Sequence, residues 1–328
     1  MKYVRIPKEN IGREPGMKRR RNSVVLLLLF SLLLSSCLRV VRTEAVIDFR
    51  ADEYPEESGY STGDFFLSSE GIEKVEVWWD AGSVGISTGD GFVSASESGK
   101  DLSGDDRMHW RLSDGVLTIR FSASGRRVKL KESDKNLHLV LPEGADISVS
   151  TSSSSPVRAG ELKGGNIAIS TQSGNVSLAS VKAESLSVCT SSGSVGIGET
   201  EAESIVCSTL SGRVDLSSLT TERLALSSSS GPVKIGELSG GEAEVSSVSG
   251  SVSITVSVVQ SLSVKTSGGD VVLVLPENSA GVLFSTRSGR FTGDCVYASS
   301  GERSVEVETS SGNLTVIGNH KEKSDENT

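Results

Sequence analysis

The stretch TSSGSVGI, Thr190 to Ile197, decides how this chain folds. It holds small residues, one glycine, and two aliphatic side chains two positions apart. The same phrase returns as TQSGNVSL (171–178), TLSGRVDL (209–216), SSSGPVKI (228–235) and SVSGSVSI (247–254). Its glycine falls at Gly174, Gly193, Gly212, Gly231, Gly250 and Gly269, each 19 residues after the last. The register reaches back to Ser155 and runs on with steps of 20 to Gly289 and 23 to Gly312.

The apolar residues keep this period. Two positions after the glycine stand Val157, Val176, Val195, Val214, Val233, Val252 and Val271, and four after it Ala159, Leu178, Ile197, Leu216, Ile235, Ile254 and Leu273. Seven after it come Leu162, Val181, Leu219 and Leu238, with Thr200 and Ser257 as exceptions. Twelve and fourteen after it are pairs such as Leu186/Val188, Ile205/Cys207 and Leu224/Leu226. Each unit is therefore two short alternating segments, and alternation marks a strand with one buried face. One unit cannot bury that face alone. Stacked units can, each backbone pairing with its neighbours about 4.8 Å away, so that seven to eight coils make a rod of order 35 Å. The glycine marks either a turn at positive φ or a close approach of successive coils. Serine and threonine suit the outward face. The expected fold is all-β, a parallel β-solenoid of about 19 residues per coil. A β-sandwich also has short, regularly spaced strands, but it gives no reason for each position to keep its residue type at a fixed period.

Residues 64–145 depart from the register yet still alternate, as in Val75/Val77/Trp79 and Leu137/Leu139/Leu141. They are read as an N-terminal β cap or a set of degenerate coils, since an open solenoid end is an unpaired edge. Regular repeats are assigned to 146–318. The polar tail 319–328 is expected to be disordered.

Two stretches, NLHLVLPEGADISVSTSSSSPV (136–157) and DVVLVLPEN (270–278), join the repeated SG-x-V-x-I/L units to complete a pattern. It resembles the bacterial putative-adhesin family of β-strand-repeat domains of unknown function, over Ile72 to Ile317. The resemblance implies a right-handed parallel β-solenoid and supplies no catalytic residues.

The N-terminus carries an address. Met17-Lys18-Arg19-Arg20-Arg21 is a basic start, and Val24–Leu34 is an apolar run shorter than the ~20 residues of a spanning helix. Leu34-Ser35-Ser36-Cys37 follows. The layout is that of a signal peptide and resembles a bacterial lipobox, which makes Cys37 the expected lipidation site, residues 1–36 the removed segment, and Met17 the expected start. Residues 37–63 read as an acidic tether. Loss of 1–36 takes away eight basic and two acidic residues, leaving 25 against 40 and a net charge of −15. So acidic a chain is a poor partner for nucleic acid, whose affinity comes from Lys and Arg. The lipid, rather than the protein surface, is expected to hold it to the membrane. Leu38 after Cys37 gives no inner-membrane retention signal, which points to the outer membrane or cell surface.

Little in the chain looks like chemistry. Cys189, Cys207 and Cys295 are an odd number with no C-x-x-C, so neither a zinc site nor a disulfide framework is indicated. Cys207 falls in an apolar column, while Cys189 has the opposite parity and is expected to be exposed. His109, His138 and His320 belong to no nucleophile–base–orienter set. Trp79 shares parity with Val75 and Val77 and reads as core. Trp78 points the other way. No cofactor is expected. Glu184, Glu203 and Glu222, 19 apart, would stack in one column; this is a candidate cation or surface acid column, and a solvated corner is the plainer reading. Glu161, Glu199 and Glu237 form a second column with Ser180 and Ser218 between the acids. The expectation is a non-enzymatic, lipid-anchored envelope protein that binds a protein or glycan through its solenoid surface. The alternatives are a polysaccharide-active β-helix enzyme, against which the near-absence of aromatics from 145–280 weighs, and a self-associating filament protein.

Overall fold

The computed structural model describes residues 54, 59–99, 102–126, 135–152, 154–276, 282–293 and 304–319. The expected signal peptide, Cys37, Cys295, His320 and most of the tether and tail lie outside them. Among the described residues regular structure is strand, apart from one 3-10 turn at Gly104–Asp106. The fold is a parallel β-solenoid, as the sequence pattern requires, and right-handed, as the resemblance implies.

Nine strands come first: β1 (Ser61–Thr62), β2 (Phe65–Ser68), β3 (Lys74–Trp79), β4 (Val84–Gly89), β5 (Phe92–Ser98), β6 (His109–Ser113), β7 (Val116–Arg120), β8 (Asn136–Pro142) and β9 (Asp146–Thr151). Six long strands follow: β10 (Val157–Thr171), β11 (Val176–Thr190), β12 (Val195–Thr209), β13 (Val214–Ser228), β14 (Val233–Ser247) and β15 (Val252–Thr266). Then come β16 (Val271–Pro276), β17 (Val282–Thr286), β18 (Phe291–Gly293), β19 (Ser304–Thr309) and β20 (Leu314–Asn319).

The long strands carry the period. From β10 to β14 every paired residue meets the one 19 positions on, Val157 with Val176 and Ile169 with Val188 for example. The columns read from sequence are buried from end to end, and they form one continuous hydrophobic core. Between β14 and β15 the register slips at a bulge. Leu238 pairs with Val256, so Val256 fills the place that a fixed period gives to Ser257.

The glycines answer the question their spacing raised. None of Gly174, Gly193, Gly212, Gly231, Gly250 and Gly269 has a positive φ. A Cβ on Gly193 would instead sit 2.0 Å from the carbonyl oxygen of Gly174, and one on Gly212 1.9 Å from that of Gly193. Close approach is the reason. Three residues earlier stands a buried hydroxyl that serves the same corner. Thr171, Ser228, Ser247 and Thr266 donate to the glycine carbonyl at 2.7–2.9 Å. Thr190 and Thr209 accept from the glycine N–H at 2.9 Å. These hydroxyls face inward, against the expectation that Ser and Thr belong outside. Each satisfies a turn group that would otherwise be buried without a partner.

Both ends break sequence order. At the N-terminal end β3 lies between β9 and β7, and β4 between β10 and β8. The β3–β4 rung is thus sandwiched by rungs that follow it in the chain. Beyond it the parallel ladder gives way to antiparallel pairs, β6 on β7 and β1 on β6, β5 on β8 and β2 on β5. Lys135 and Glu97 are both fully buried here and pair at 2.9 Å. Glu97 also accepts from Met108 N at 2.8 Å, and Trp79 Nε1 donates to Lys135 O at 3.0 Å.

At the C-terminal end the spacing of Gly289 and Gly312 implies stacking in chain order. The structure reverses it. A Cβ on Gly312 would meet Gly269 O, and one on Gly289 would meet Gly312 O, each at 2.0 Å. The β19–β20 rung is slotted between β15–β16 and β17–β18. Side-chain bulk accounts for the order. Val305, Val307, Leu314 and Val316 are buried like the columns beneath them, whereas Phe284 and Phe291 of the outer rung are only partly covered. Large rings fit at the end, where no further rung need close over them.

Candidate binding faces

A parallel coil buries one side-chain parity and offers the other to solvent, so the outward columns and the corners are where a partner can be met. Two grooves run along the rod. The first, with a cavity volume of about 480 Å³, follows the glycine corner across successive rungs; Ser208, Leu210, Ser227, Ser229 and Val248 line it, with Lys265 towards one end. The second, of about 960 Å³, follows the middle of the long strands. There the ladder steps past Glu184, Glu203 and Glu222, whose neighbours Ala183, Ala202 and Thr221 stay in register.

All three glutamates line this groove and are exposed. Lys182 and Arg223 share the groove with them, and Lys182 pairs with Glu201 at 3.0 Å. Exposed pairs of this kind contribute little to stability. Among the described residues no three His, Cys, Asp or Glu side chains gather as a metal would need. The alternating column also forms, Glu161, Ser180, Glu199, Ser218 and Glu237 lying in register.

The remaining candidates take structural places. Cys207 is free and packs between Val188 and Leu226; burial pushes its thiol up to about 12, which makes it inert. Cys189 corrects two expectations, for it is buried rather than exposed, and it is disulfide-bonded. His109 is buried, with Nδ1 2.9 Å from Arg107 O. His138 lies on the solvated face of β8. Trp79 is core, edge-on to Phe121 at 5.0 Å. The outward Trp78 lies under the Arg120 guanidinium, 3.7 Å from the ring centroid. The buried Lys135 has its pKa lowered by loss of solvent, an effect that Glu97 opposes. No helix among the described residues is long and apolar enough to cross a membrane.

A family model matches residues 72–317. The chain belongs to the Toastrack DUF4097 family. No curated protein matches it. The chain is similar to three solved bacterial structures. One, named a putative lipid binding protein, is from Parabacteroides distasonis (14% identity, TM-score 0.46, covering 81% of this chain and 99% of that one). A putative adhesin from Parabacteroides merdae has 16% identity and a TM-score of 0.43, covering 81% and 100%. Another from Bacteroides fragilis has 13% identity and a TM-score of 0.39, covering 80% and 98%.

Proposed function

We propose that this Toastrack protein is lipid-anchored in the cell envelope through Cys37 and acts without turnover, by binding through the sides of its solenoid. One observation carries the reading. The long strands spend one parity on an unbroken core and repeat the other in register, so the outward residues become continuous columns bordering two long grooves. A surface that repeats every rung suits an extended partner more than a compact substrate. In this reading residues 64–145 act as the N-terminal cap, residues 37–63 are the tether, and the protein stands at the outer membrane or cell surface. Metabolic labelling with a fatty-acid analogue tests the anchor: wild type is labelled and Cys37→Ala is not, and equal labelling removes the anchor from the reading. Turnover of any polysaccharide by the purified protein would overturn its non-enzymatic character.

End-to-end assembly is a second reading, favoured by the β17–β18 rung. Val282, Phe284 and Phe291 stay half-covered there, and Leu283 is 67% exposed. Sedimentation distinguishes the two: a concentration-dependent series of larger species supports assembly, and a single monomeric boundary removes it.

A further inference from the structure

We propose that the groove along the glycine corner is a binding site for a neutral, linear glycan lying parallel to the rod axis. The proposal rests on the binding role above and adds its place and ligand class.

The lining runs from Thr190 on β11 through β12, β13, β14 and β15 to Glu308 on β19. Those are six successive rungs, a length of about 24 Å at the spacing of paired strands. The groove lies at right angles to the strands. Backbone hydrogen bonds of a parallel ladder point along the axis, into the next rung, so none is offered sideways. Four of the corner amides are taken as well. Those of Ser229, Ser230, Val248 and Ser249 donate to carbonyls of the rung below at 2.9–3.2 Å. A peptide therefore finds no edge to extend by strand addition. Whatever lies in the groove is recognised chiefly by side chains.

Leu210 is 48% exposed and Val248 56%, two rungs apart in one column, and Ser229 stands between them. The hydroxyls of Ser208, Ser227 and Ser229 have no hydrogen-bond partner among the described residues. The groove thus alternates aliphatic patches with free hydroxyls that can both donate and accept. A pyranose chain carries the matching set, C–H faces and hydroxyls that donate and accept.

Lys265 and Glu308, neighbours in register, are the charged members of the lining. The other groove carries Glu184, Glu201, Glu203, Glu222 and Glu242 against Lys182 and Arg223. A polyanion is repelled by such a chain and a polycation is drawn to the acidic groove, so a neutral polymer is the occupant that fits the glycine corner. Without aromatic platforms each sugar contributes little. Affinity must accumulate along the chain and through many copies on one envelope.

The test uses the full chain in detergent and neutral cello-, chito- and malto-oligosaccharides of graded length, with binding followed by calorimetry and by NMR of the sugar. Oligogalacturonate and chitosan oligomers are the charged controls. One neutral series is expected to bind, with affinity rising until the oligomer is as long as the groove and then levelling. Leu210→Arg and Val248→Arg are expected to weaken it at least tenfold, Val248→Ser less in the same direction, and Glu70→Gln, exposed and outside both grooves, not at all. Circular dichroism confirms that each variant is folded. The proposal is overturned if no neutral series binds, or if binding ignores the Leu210 and Val248 substitutions. Binding lost in Glu203→Gln instead removes this groove and leaves the wider binding role standing. Hydrolysis of the oligomers removes both.

Discussion

Replacing Gly212 with alanine should damage the fold, although both residues are small and neither needs an unusual backbone. The added Cβ would lie 1.9 Å from the carbonyl oxygen of Gly193 and 2.6 Å from its carbon. An ordinary carbon–oxygen contact is about 3.3 Å, so the rungs must part locally by about 1.4 Å. Three bonds bear that strain: Ser211 N to Ser191 O at 3.1 Å, Val195 N to Arg213 O at 2.8 Å, and Gly212 N to Thr209 Oγ1 at 2.9 Å. Losing two of them costs about 1 kcal/mol each, and overpacking adds about 1–3 kcal/mol. The expected loss is therefore about 3–5 kcal/mol. Gly196→Ala is the internal control. Its Cβ would meet nothing nearer than Val176 O at 4.0 Å, and the stiffer unfolded chain should favour it by about 0.4–1 kcal/mol. Guanidinium unfolding by circular dichroism gives the comparison. A stack of repeats need not unfold in one step, so hydrogen exchange of the peptides around Gly193 and Gly212 should show where protection is lost. If Gly212→Ala falls within about 1 kcal/mol of wild type, or matches Gly196→Ala, close approach is not what the repeated glycine is for.

The hydroxyl of Thr200 is buried in an apolar column with no partner among the described residues, so Thr200→Val should stabilise by about 1 kcal/mol; a lowered melting temperature contradicts this. Lys135→Met strands Glu97 and should cost about 3 kcal/mol or more, with part recovered in Lys135→Met/Glu97→Gln; a loss below about 1 kcal/mol shows that Arg107, 3.2 Å from Glu97, suffices. Hydrogen bonds from Arg126 and Ser103 hold Asp106 below the ordinary value of 3.8. Its contribution is complete above that value and fades as pH falls through the lower folded one; Asp106→Asn should flatten this part of the acid melting curve, and an unchanged curve rejects the role. Maleimide treatment at pH 8 followed by peptide mapping should find Cys207 unmodified until denaturant is added, and rapid labelling of native protein denies its burial.

What could be read from the sequence depended on how local the physics was. The inward columns were legible because 19-residue spacing and residue type are written together, and Val195, Val214 and Val233 pair in that order. The hydroxyl three before each glycine carries the same period but not the same signal, since Ser and Thr are common on surfaces too. Cys189 sat at an outward parity, and parity alone cannot say what covers a side chain. The reversal at Gly289 and Gly312 could not be read from spacing, because a coil of 20 or 23 residues fits equally well in either place. Only the bulk of Phe284 and Phe291 against Val305 and Val307 hints at it. Lys135 and Glu97 lie 38 positions apart in a region without a period, so nothing local joins them. The grooves were partly legible: the Glu184, Glu203 and Glu222 column was, whereas the alternation of Leu210, Ser229 and Val248 was not, being written into the least constrained corner positions.

The rungs slotted in at each end leave the middle of the rod free to vary. The last described strand, β20, is held on both edges by β16 and β18, and β3 is held likewise by β7 and β9. Among the described residues no strand of either end pairs with β11, β12, β13 or β14. A duplication or deletion of nineteen residues there would change the rod by one rung, about 4.8 Å, and leave both terminations untouched. The molecule is in this respect a ruler with fixed fittings, whose length inheritance can adjust one graduation at a time.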